Sequence, residues 1–521
     1  MQQETSNEKS LSPSAGPVLV ACVFVIAVCG LVYELIAGAL SSYLLGDSVT
    51  QFSIVIGLFL TAMGAGSFLS RFVRRDLLGT LIAVETGVGL VGGSVALVGF
   101  AVFALTDYYV PAMLGLVGGV GVLVGLEIPL VVRILKDTGS LRITLANVLT
   151  ADYVGALAAS VLFPFLLLPF LGIARAGLVM GLANVAVGGL LLWRLRAGVR
   201  RPRALLALVV SALGLLIAGL VAAGDLVSTL ENRLYQDEII YAEDTPHQRL
   251  VLTRWRDDVR LYLDGHLQFS SVDEYRYHEA LVHPAMSLAD RRDAVLILGG
   301  GDGLACREVC KYAEVDRVDL VDIDPAVTRL FRTNPLLTSL NAGALSDPRL
   351  RIHNEDAMRF LEETTDRWDV VLMDLPDPSR PALGKLYSRA FFNLVGRHVA
   401  SGGTLGCQCT SPFRSRKAFW CIVRTIESAR CGPEPGRTFQ VLPYHTVVPT
   451  FGTWGFAVAS AAAPEVEAIR LSVPTRYLTE DLLPGLFAFP ADMAREEVPV
   501  SRLDDPVVWR LYEWDYHRYL E

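Results

Sequence analysis

The feature that most limits what this chain can fold into is a series of apolar segments filling residues 17–223. Stretches of about 20 residues, long enough to cross a bilayer, fall near 17–45, 51–72, 78–105, 109–135, 144–171, 173–194 and 204–223. Inside lipid a backbone must satisfy its own N–H and C=O groups, so these segments predict an all-α transmembrane bundle of about seven spans over 17–224. Small residues are frequent in them, as in Gly115-Leu-Val-Gly-Gly-Val-Gly-Val-Leu-Val-Gly125. They let helices approach closely where lipid supplies no hydrophobic drive. The first segment is too long, and too poor in a cleavage pattern, for a removable signal peptide. Residues 1–16 are polar and read as a disordered tail.

Four carboxylates interrupt the apolar pattern: Glu34, Glu85, Glu127 and Asp152. A charge at mid-membrane costs roughly 2.5 to 3.5 kcal/mol on insertion scales, so each needs a partner or a purpose. They either face the bundle interior, bonded to neighbouring helices, or form a path or pocket for a cationic ligand. Arg71, Arg74 and Arg75, then Arg133, Lys136 and Arg142, then Arg194, Arg196, Arg200, Arg201 and Arg203 follow alternate segments. The positive-inside rule assigns these loops to the cytoplasmic face of a multi-pass cell (inner) membrane protein. Seven spans would deliver the following half to the opposite face, and one re-entrant segment would return it.

After Ala223 the pattern changes to that of a soluble α/β protein, and 52% hydrophobic against 19% charged residues fits two unlike parts. The net charge of -8 and the lack of a basic tract exclude nucleic acid as an expected partner. Eight cysteines without metal-ligand spacing read as buried structural thiols. Residues 225–290 read as a linker and a small β-hairpin module, Gln248-Arg-Leu-Val-Leu-Thr253 and Val259-Arg-Leu-Tyr-Leu-Asp264 being joined by a polar turn at Asp257-Asp258. Residues 291–464 read as a Rossmann-like α/β domain, and 465–521 as an extension. Periodicity does not choose whether that extension covers the site or docks on the membrane domain.

Within the α/β domain, Val295-Leu-Ile-Leu298 runs straight into Gly299, Gly300, Gly301, Asp302 and Gly303, and a helical pattern follows. A strand, a turn without Cβ atoms and a helix N-terminus make a cradle for a polar ligand. Asp322 sits near the end of the next strand pattern, Val318 to Asp324, a spacing suited to gripping ribose hydroxyls. Asn354-Glu-Asp-Ala357 and Val370-Val-Leu-Met-Asp-Leu-Pro-Asp-Pro378 again put carboxylates at strand ends, where open α/β sheets bind ligands.

Six ordered motifs carry a resemblance: Leu263-Asp-Gly-His-Leu-Gln268, Asp273-Glu-Tyr-Arg-Tyr-His-Glu279, Gly299-Gly-Gly-Asp-Gly303 with Arg307-Glu-Val309, Asp322-Ile-Asp324, Asp356-Ala357, and Asp374-Leu-Pro-Asp-Pro378. Over about 240–460 the chain resembles the spermidine synthase family of aminopropyltransferases, and as a whole it is similar to bacterial variants with a multi-span domain ahead of the synthase. The resemblance implies transfer of the aminopropyl group of decarboxylated S-adenosylmethionine, a cosubstrate and not a tightly bound cofactor, to putrescine or a similar diamine, with release of methylthioadenosine. It implies that Gln248 and Asp302 contact the methionine-derived part of the donor within the turn of Gly299, Gly301 and Gly303. Asp322, where the family usually has Glu, would bind the ribose, and Asp356 with Ala357 the adenine. Asp374 would be the catalytic base assisted by Tyr277, with Asp377, Gln268, His278 and Phe451 on the acceptor side. His278 stands where Gln is usual, and Phe451 replaces a tyrosine after Pro449-Thr450. No metal is implied; lipid and a possible homodimer partner are.

The residue chemistry agrees with this reading. A primary amine has a pKa of about 10.4, so exposing its lone pair at pH 7 costs roughly 4 to 5 kcal/mol, and a carboxylate within reach can take the proton during attack. A carboxylate at Asp302 would repel the carboxylate of an ordinary methyl donor but attract the ammonium of a decarboxylated one. Two alternatives stay open: an S-adenosylmethionine-dependent methyltransferase on the same fold, and a polyamine transporter or sensor whose synthase-like domain only binds.

Overall fold

The structure is a computed structural model that describes residues 15–45, 48–136, 140–235, 237–432 and 436–517. The tail expected over 1–16 lies, through residue 14, outside the described residues. The chain divides into two compact units between Glu238 and Ile239. The expected limit of 224 falls inside the last helix of the first unit, which continues to Leu234.

The first unit contains seven helices among the described residues: α1 (Ala15–Leu45), α2 (Ser48–Leu69), α3 (Leu77–Leu105), α4 (Tyr109–Leu135), α5 (Leu141–Leu162), α6 (Leu168–Leu195) and α7 (Pro202–Leu234). They form six apolar stretches long enough to cross a membrane, not the expected seven. The reason is that α5 and α6 run together through the 58 residues of Leu141–Gly198. No polar loop separates them; a π-helical segment, Phe163–Leu167, joins them, and the helical backbone breaks only at Gly172, with φ +70°. Small residues set the packing as the sequence suggested. A Cβ on Gly125 of α4 would lie 2.1 Å from the Met63 carbonyl oxygen of α2, and one on Gly181 of α6 would lie 2.5 Å from the Gly89 oxygen of α3.

The second unit begins with a sheet of four strands in sequence order, β1 (Glu238–Asp244), β2 (Arg249–Trp255), β3 (Asp258–Leu263) and β4 (His266–Ser270). It is larger than the expected hairpin, and its β2–β3 turn is Arg256-Asp257 because Trp255 pairs with Asp258. Asp258 is drawn into the strand by its partners. Its buried carboxylate accepts from Ser270 Oγ at 2.6 Å and pairs with Arg260 Nε at 2.7 Å.

The main sheet has seven strands: β5 (Ala294–Gly299), β6 (Arg317–Val321), β7 (Leu350–His353), β8 (Trp368–Asp374), β9 (Val399–Gln408), β10 (Gln440–Val448) and β11 (Gly452–Ser460), in the order β10-β11-β9-β8-β5-β6-β7. Strands β7, β6, β5, β8 and β9 run parallel, while β11 and β10 are antiparallel. Alternation along β5 explains the two-sided core: Val295 and Ile297 pack on one face, Leu296 and Leu298 on the other. The order reverses between β5 and β8, so the crevice for a ligand opens where those strands end. The expected Rossmann-like layout is the one observed.

Helix α8 (Glu274–Leu288) lies against this sheet, and α9 (Leu304–Val309) follows the glycine turn. The C-terminal extension is strapped onto the same unit. Glu279 of α8 accepts the N–H groups of Arg476, Tyr477 and Leu478 at 2.6–2.9 Å, and Asp515 of the helix Val507–His517 accepts the N–H of Lys417 at 2.8 Å.

Gly299 is the position where this arrangement tolerates least. Its φ is +83°, and a Cβ there would stand 2.0 Å from the Asp374 carbonyl oxygen. Gly299→Ala is expected to destabilise the second unit by more than about 2 kcal/mol, read as a lowered denaturation midpoint; an unchanged midpoint would refute this packing.

Candidate active site

Parallel pairing of β5 with β8 sets Gly299 opposite Asp374, and the N–H of Gly300 donates to the Asp374 carbonyl at 3.2 Å. The glycine turn and the expected base are thereby fixed side by side. Gly301 is equally constrained: its N–H donates to Asp322 Oδ2 at 3.0 Å, and a Cβ would lie 2.5 Å from that oxygen. Asp322 Oδ1 accepts from the N–H of Asp324 at 2.9 Å, and burial pushes the Asp322 carboxyl up to about 6.

Tyr277 and His278 reach the same point from α8. Tyr277 Oη donates to Asp374 Oδ1 at 2.7 Å. Burial and the neighbouring Asp374 carboxylate push the phenol well above its ordinary range, so it stays a donor that orients Asp374. His278 Nε2 lies 3.9 Å from Asp374 Oδ2, and its Nδ1 is 2.9 Å from Glu274 Oε2. Burial alone would lower the imidazole, but the Glu274 carboxylate outweighs it, with help from Asp302 and Asp374, and raises it to about 9. Glu274 is held in turn by Arg307 through two bonds of 2.7 and 3.0 Å.

Asp302 is pinned by Leu304 N–H donating to its Oδ1 at 2.9 Å, and burial pushes its carboxyl up to about 6. His278, Asp302 and Asp374 each offer an atom within 4.8 Å of the other two, the spacing at which three groups share one positive charge, a metal ion or an ammonium.

Asp377 is also brought to the crevice. Tyr512 Oη, from the helix Val507–His517, donates to Asp377 Oδ2 at 3.0 Å, while Gln408 and Thr410 approach at 3.4 Å. Burial raises the Asp377 carboxyl to about 6 against the pull of these donors. The loop that carries it is braced by Tyr387, which donates to the Leu375 and Pro376 carbonyls at 3.2 and 2.9 Å, and by Gln408, which donates to Leu375 at 2.6 Å.

The remaining expected residues are placed unevenly. Gln248 donates to Asp324 Oδ2 at 3.1 Å and so lies beside the Asp322 end of the crevice. Asp356 caps the helix Ala357–Glu363 through the N–H groups of Met358 and Arg359 and pairs with Lys385 at 2.7 Å, leaving Ala357 in the first turn. Gln268 bonds to its own strand, its Nε2 donating to the His266 carbonyl at 3.1 Å. Phe451 packs on Trp454 with ring centroids 5.1 Å apart, and Trp454 packs on Tyr277 at 6.4 Å. Its loop is tied to the start of α8, since Asp273 accepts from both Thr450 N–H and Oγ1.

Sequence reasoning missed Glu274, Arg307, Gln408 and Tyr512 as parts of the site. The i,i+4 spacing of Glu274 and His278 was a usable signal. Tyr512 gave none, because only the fold brings it to Asp377.

Residues 274–468 match the family model described as the spermine/spermidine synthase domain. Polyamine aminopropyltransferase 2 of Ralstonia nicotianae is 46% identical over 507 residues, covering 96% of this chain and 98% of that protein. The chain belongs to the polyamine aminopropyltransferase family. Polyamine aminopropyltransferases of Leptospira interrogans and Mycobacterium tuberculosis are 42% and 40% identical, over 96% and 94% of this chain and 98% and 94% of their own. A solved spermidine synthase in complex with the transition-state analogue AdoDATO aligns with 49% of this chain and 86% of its own, at 26% identity and a TM-score of 0.44.

For an aminopropyltransferase of this family, two measurements follow from the geometry. His278 is raised from 6.5 to about 9 on folding, so its charge contributes stability that is complete below pH 6.5 and is lost as pH rises through 9. His278→Gln is expected to flatten the fall in denaturation midpoint between those values; an unchanged pH profile would assign the fall elsewhere. If Asp377 receives the acceptor, as the sequence resemblance implies, Tyr512→Phe is expected to raise the acceptor KM about tenfold, one hydrogen bond to a charged group, with donor affinity unchanged, as read by steady-state kinetics and donor titration.

Proposed function

We propose that this aminopropyltransferase carries the aminopropyl group of decarboxylated S-adenosylmethionine to a putrescine-type diamine. The observation that supports it best is the junction of Gly299 and Asp374, which sets a donor turn carrying Asp302 against an acceptor loop carrying Asp374 and Asp377. On this reading Asp302 holds the donor ammonium, Asp322 accepts from the ribose hydroxyls, and Asp356 with Ala357 borders the adenine. Asp374 takes a proton from the acceptor ammonium while Tyr277 orients it, and Asp377 receives the distal ammonium.

The freed lone pair attacks the carbon attached to the sulfonium. A C–N bond forms as the C–S bond breaks, and its electrons neutralise sulfur, so methylthioadenosine leaves without needing an acid. His278 suits a site that alternates between empty and cation-filled: its charge balances Asp302 and Asp374 until a substrate cation replaces it.

The first unit is on this reading embedded in lipid. Leu141–Gly198 would extend about 87 Å as one straight helix, against a hydrocarbon core of about 30 Å. We infer that it crosses twice, with Gly172 near the reversal. Arg133 and Arg142 at one end and Arg194, Arg196 and Arg200 at the other then share one face, as the positive-inside rule favours.

Incubating the solubilised protein with decarboxylated donor and a panel of diamines is expected to yield methylthioadenosine and an aminopropylated amine, identified by mass. Adenosylhomocysteine formed from the carboxylated donor would instead support methyl transfer. Asp374→Asn is expected to reduce turnover by at least about a hundredfold, the scale of general-base catalysis, with donor binding intact. A variant of near-normal rate would remove Asp374 from the base role.

A further inference from the structure

The first unit holds a polar cluster that the transfer reaction does not use. Glu85 of α3 is fully buried and Glu127 of α4 is 4% exposed. They lie within electrostatic reach of each other, and Glu127 also of Asp152 on α5. Asn184 of α6 faces Glu85 directly, its Nδ2 donating to Glu85 Oε2 at 3.0 Å and to the Glu85 carbonyl at 2.8 Å. Tyr33 of α1, 1% exposed, lies within reach of both carboxylates. Its ring is seated on Gly92, where a Cβ would meet ring atoms at 2.6 Å, and Gly92 lies two turns beyond Glu85 on α3. Four helices thus each bring a buried polar side chain into one interior region.

This cluster lacks partners of one particular kind. Tyr33 Oη, which has the Cys29 thiol beside it, and Glu85 Oε1, Glu127 Oε1 and Asn184 Oδ1 are all buried without a nitrogen or oxygen hydrogen-bond partner among the described residues. All four are oxygens, and no Lys, Arg or His among the described residues pairs with either glutamate. Glu85 Oε1, Glu127 Oε1 and Asn184 Oδ1 are acceptors, and a buried unsatisfied acceptor costs about 1 to 3 kcal/mol, and more if charged, so three in one interior region call for a ligand that supplies donors and positive charge. An ammonium is donor-only, with three N–H groups.

We propose that Tyr33, Glu85, Glu127 and Asn184 form a second amine site, which takes the ammonium group of a diamine or polyamine inside the helical unit. The ligand class rests on the aminopropyl-transfer reading; the need for a cation does not. Such a site lets the helical unit bind the enzyme's own substrate or product away from the reaction centre. Asp152, only partly buried, extends the carboxylates from Glu127 toward the surface.

The test is equilibrium binding of labelled putrescine and spermidine to the full chain in detergent, at fixed pH and sodium concentration. The wild-type protein is expected to bind two amine equivalents, and the Asp374→Asn/Asp377→Asn double variant one. In that double-variant background, Glu85→Gln, Glu127→Gln and Tyr33→Phe should each weaken the remaining site roughly tenfold or more, the worth of one charge-assisted hydrogen bond. Unchanged helical content and a single unshifted elution peak in detergent for the single Glu85→Gln, Glu127→Gln and Tyr33→Phe proteins show that the helical unit folds, and retained aminopropyl transfer shows the same of the second unit. One equivalent in the wild type that vanishes in the double variant would overturn the second site and leave the transfer site standing. A second equivalent displaced by sodium or by protons, and not by competing amines, would overturn its ligand class. An unchanged wild-type stoichiometry in the double variant would instead count against the acceptor roles of Asp374 and Asp377.

Discussion

The contact on which the reaction centre depends is the parallel pairing of Gly299 with Asp374 at the point where the sheet order reverses. Only a residue without a Cβ can lie against the Asp374 backbone there with φ at +83°. That approach turns two separate sequence motifs into one crevice, with Asp302 on the β5 turn and Asp374 and Asp377 at the end of β8 and the loop after it. Every other residue of the site is placed relative to this junction, by α8 from one side and by the C-terminal helix from the other.

The site is built to attract cations by holding carboxylates in a place that disfavours their charge. Burial raises Asp302, Asp322 and Asp377 each to about 6. Donors that favour the ionised form oppose this: backbone N–H groups at Asp302 and Asp322, and Tyr512, Gln408 and Thr410 at Asp377. Arg307 holds Glu274, and Glu274 favours the protonated form of the His278 imidazole beside Asp302 and Asp374. On the proposed reading a diamine, with two positive charges, would substitute for that imidazole and add charge where the carboxylates are least satisfied.

Much of this was legible in the sequence, and the exceptions have identifiable causes. The glycine turn, the strand-end aspartates and the Rossmann-like order were readable because each depends on local spacing. The span count is less direct: α5 and α6 run on as one apolar stretch of 58 residues, and only the break at Gly172 divides it where the sequence pattern did, between 171 and 173. The β2–β3 turn was misplaced by one residue because Asp258 looks like a turn residue and is instead held in the strand by Ser270 and Arg260. Tyr512 reaches Asp377 from 135 residues away in sequence, a contact no periodicity encodes. The helix cap made by Asp356 follows from its place just before a helix, while its pair with Lys385, 29 residues on, comes from the fold.

On the proposed reading, what separates aminopropyl from methyl transfer on this fold is the sign of the charge that Asp302 prefers. The most direct measurement is titration of the wild-type protein with decarboxylated and carboxylated S-adenosylmethionine, repeated on Asp302→Asn. The expected result is a preference for the decarboxylated donor on the order of a hundredfold in the wild type, as a buried like-charge contact would impose, largely lost in Asp302→Asn. Equal binding of both donors by the wild type, or tighter binding of the carboxylated one, would contradict the assignment.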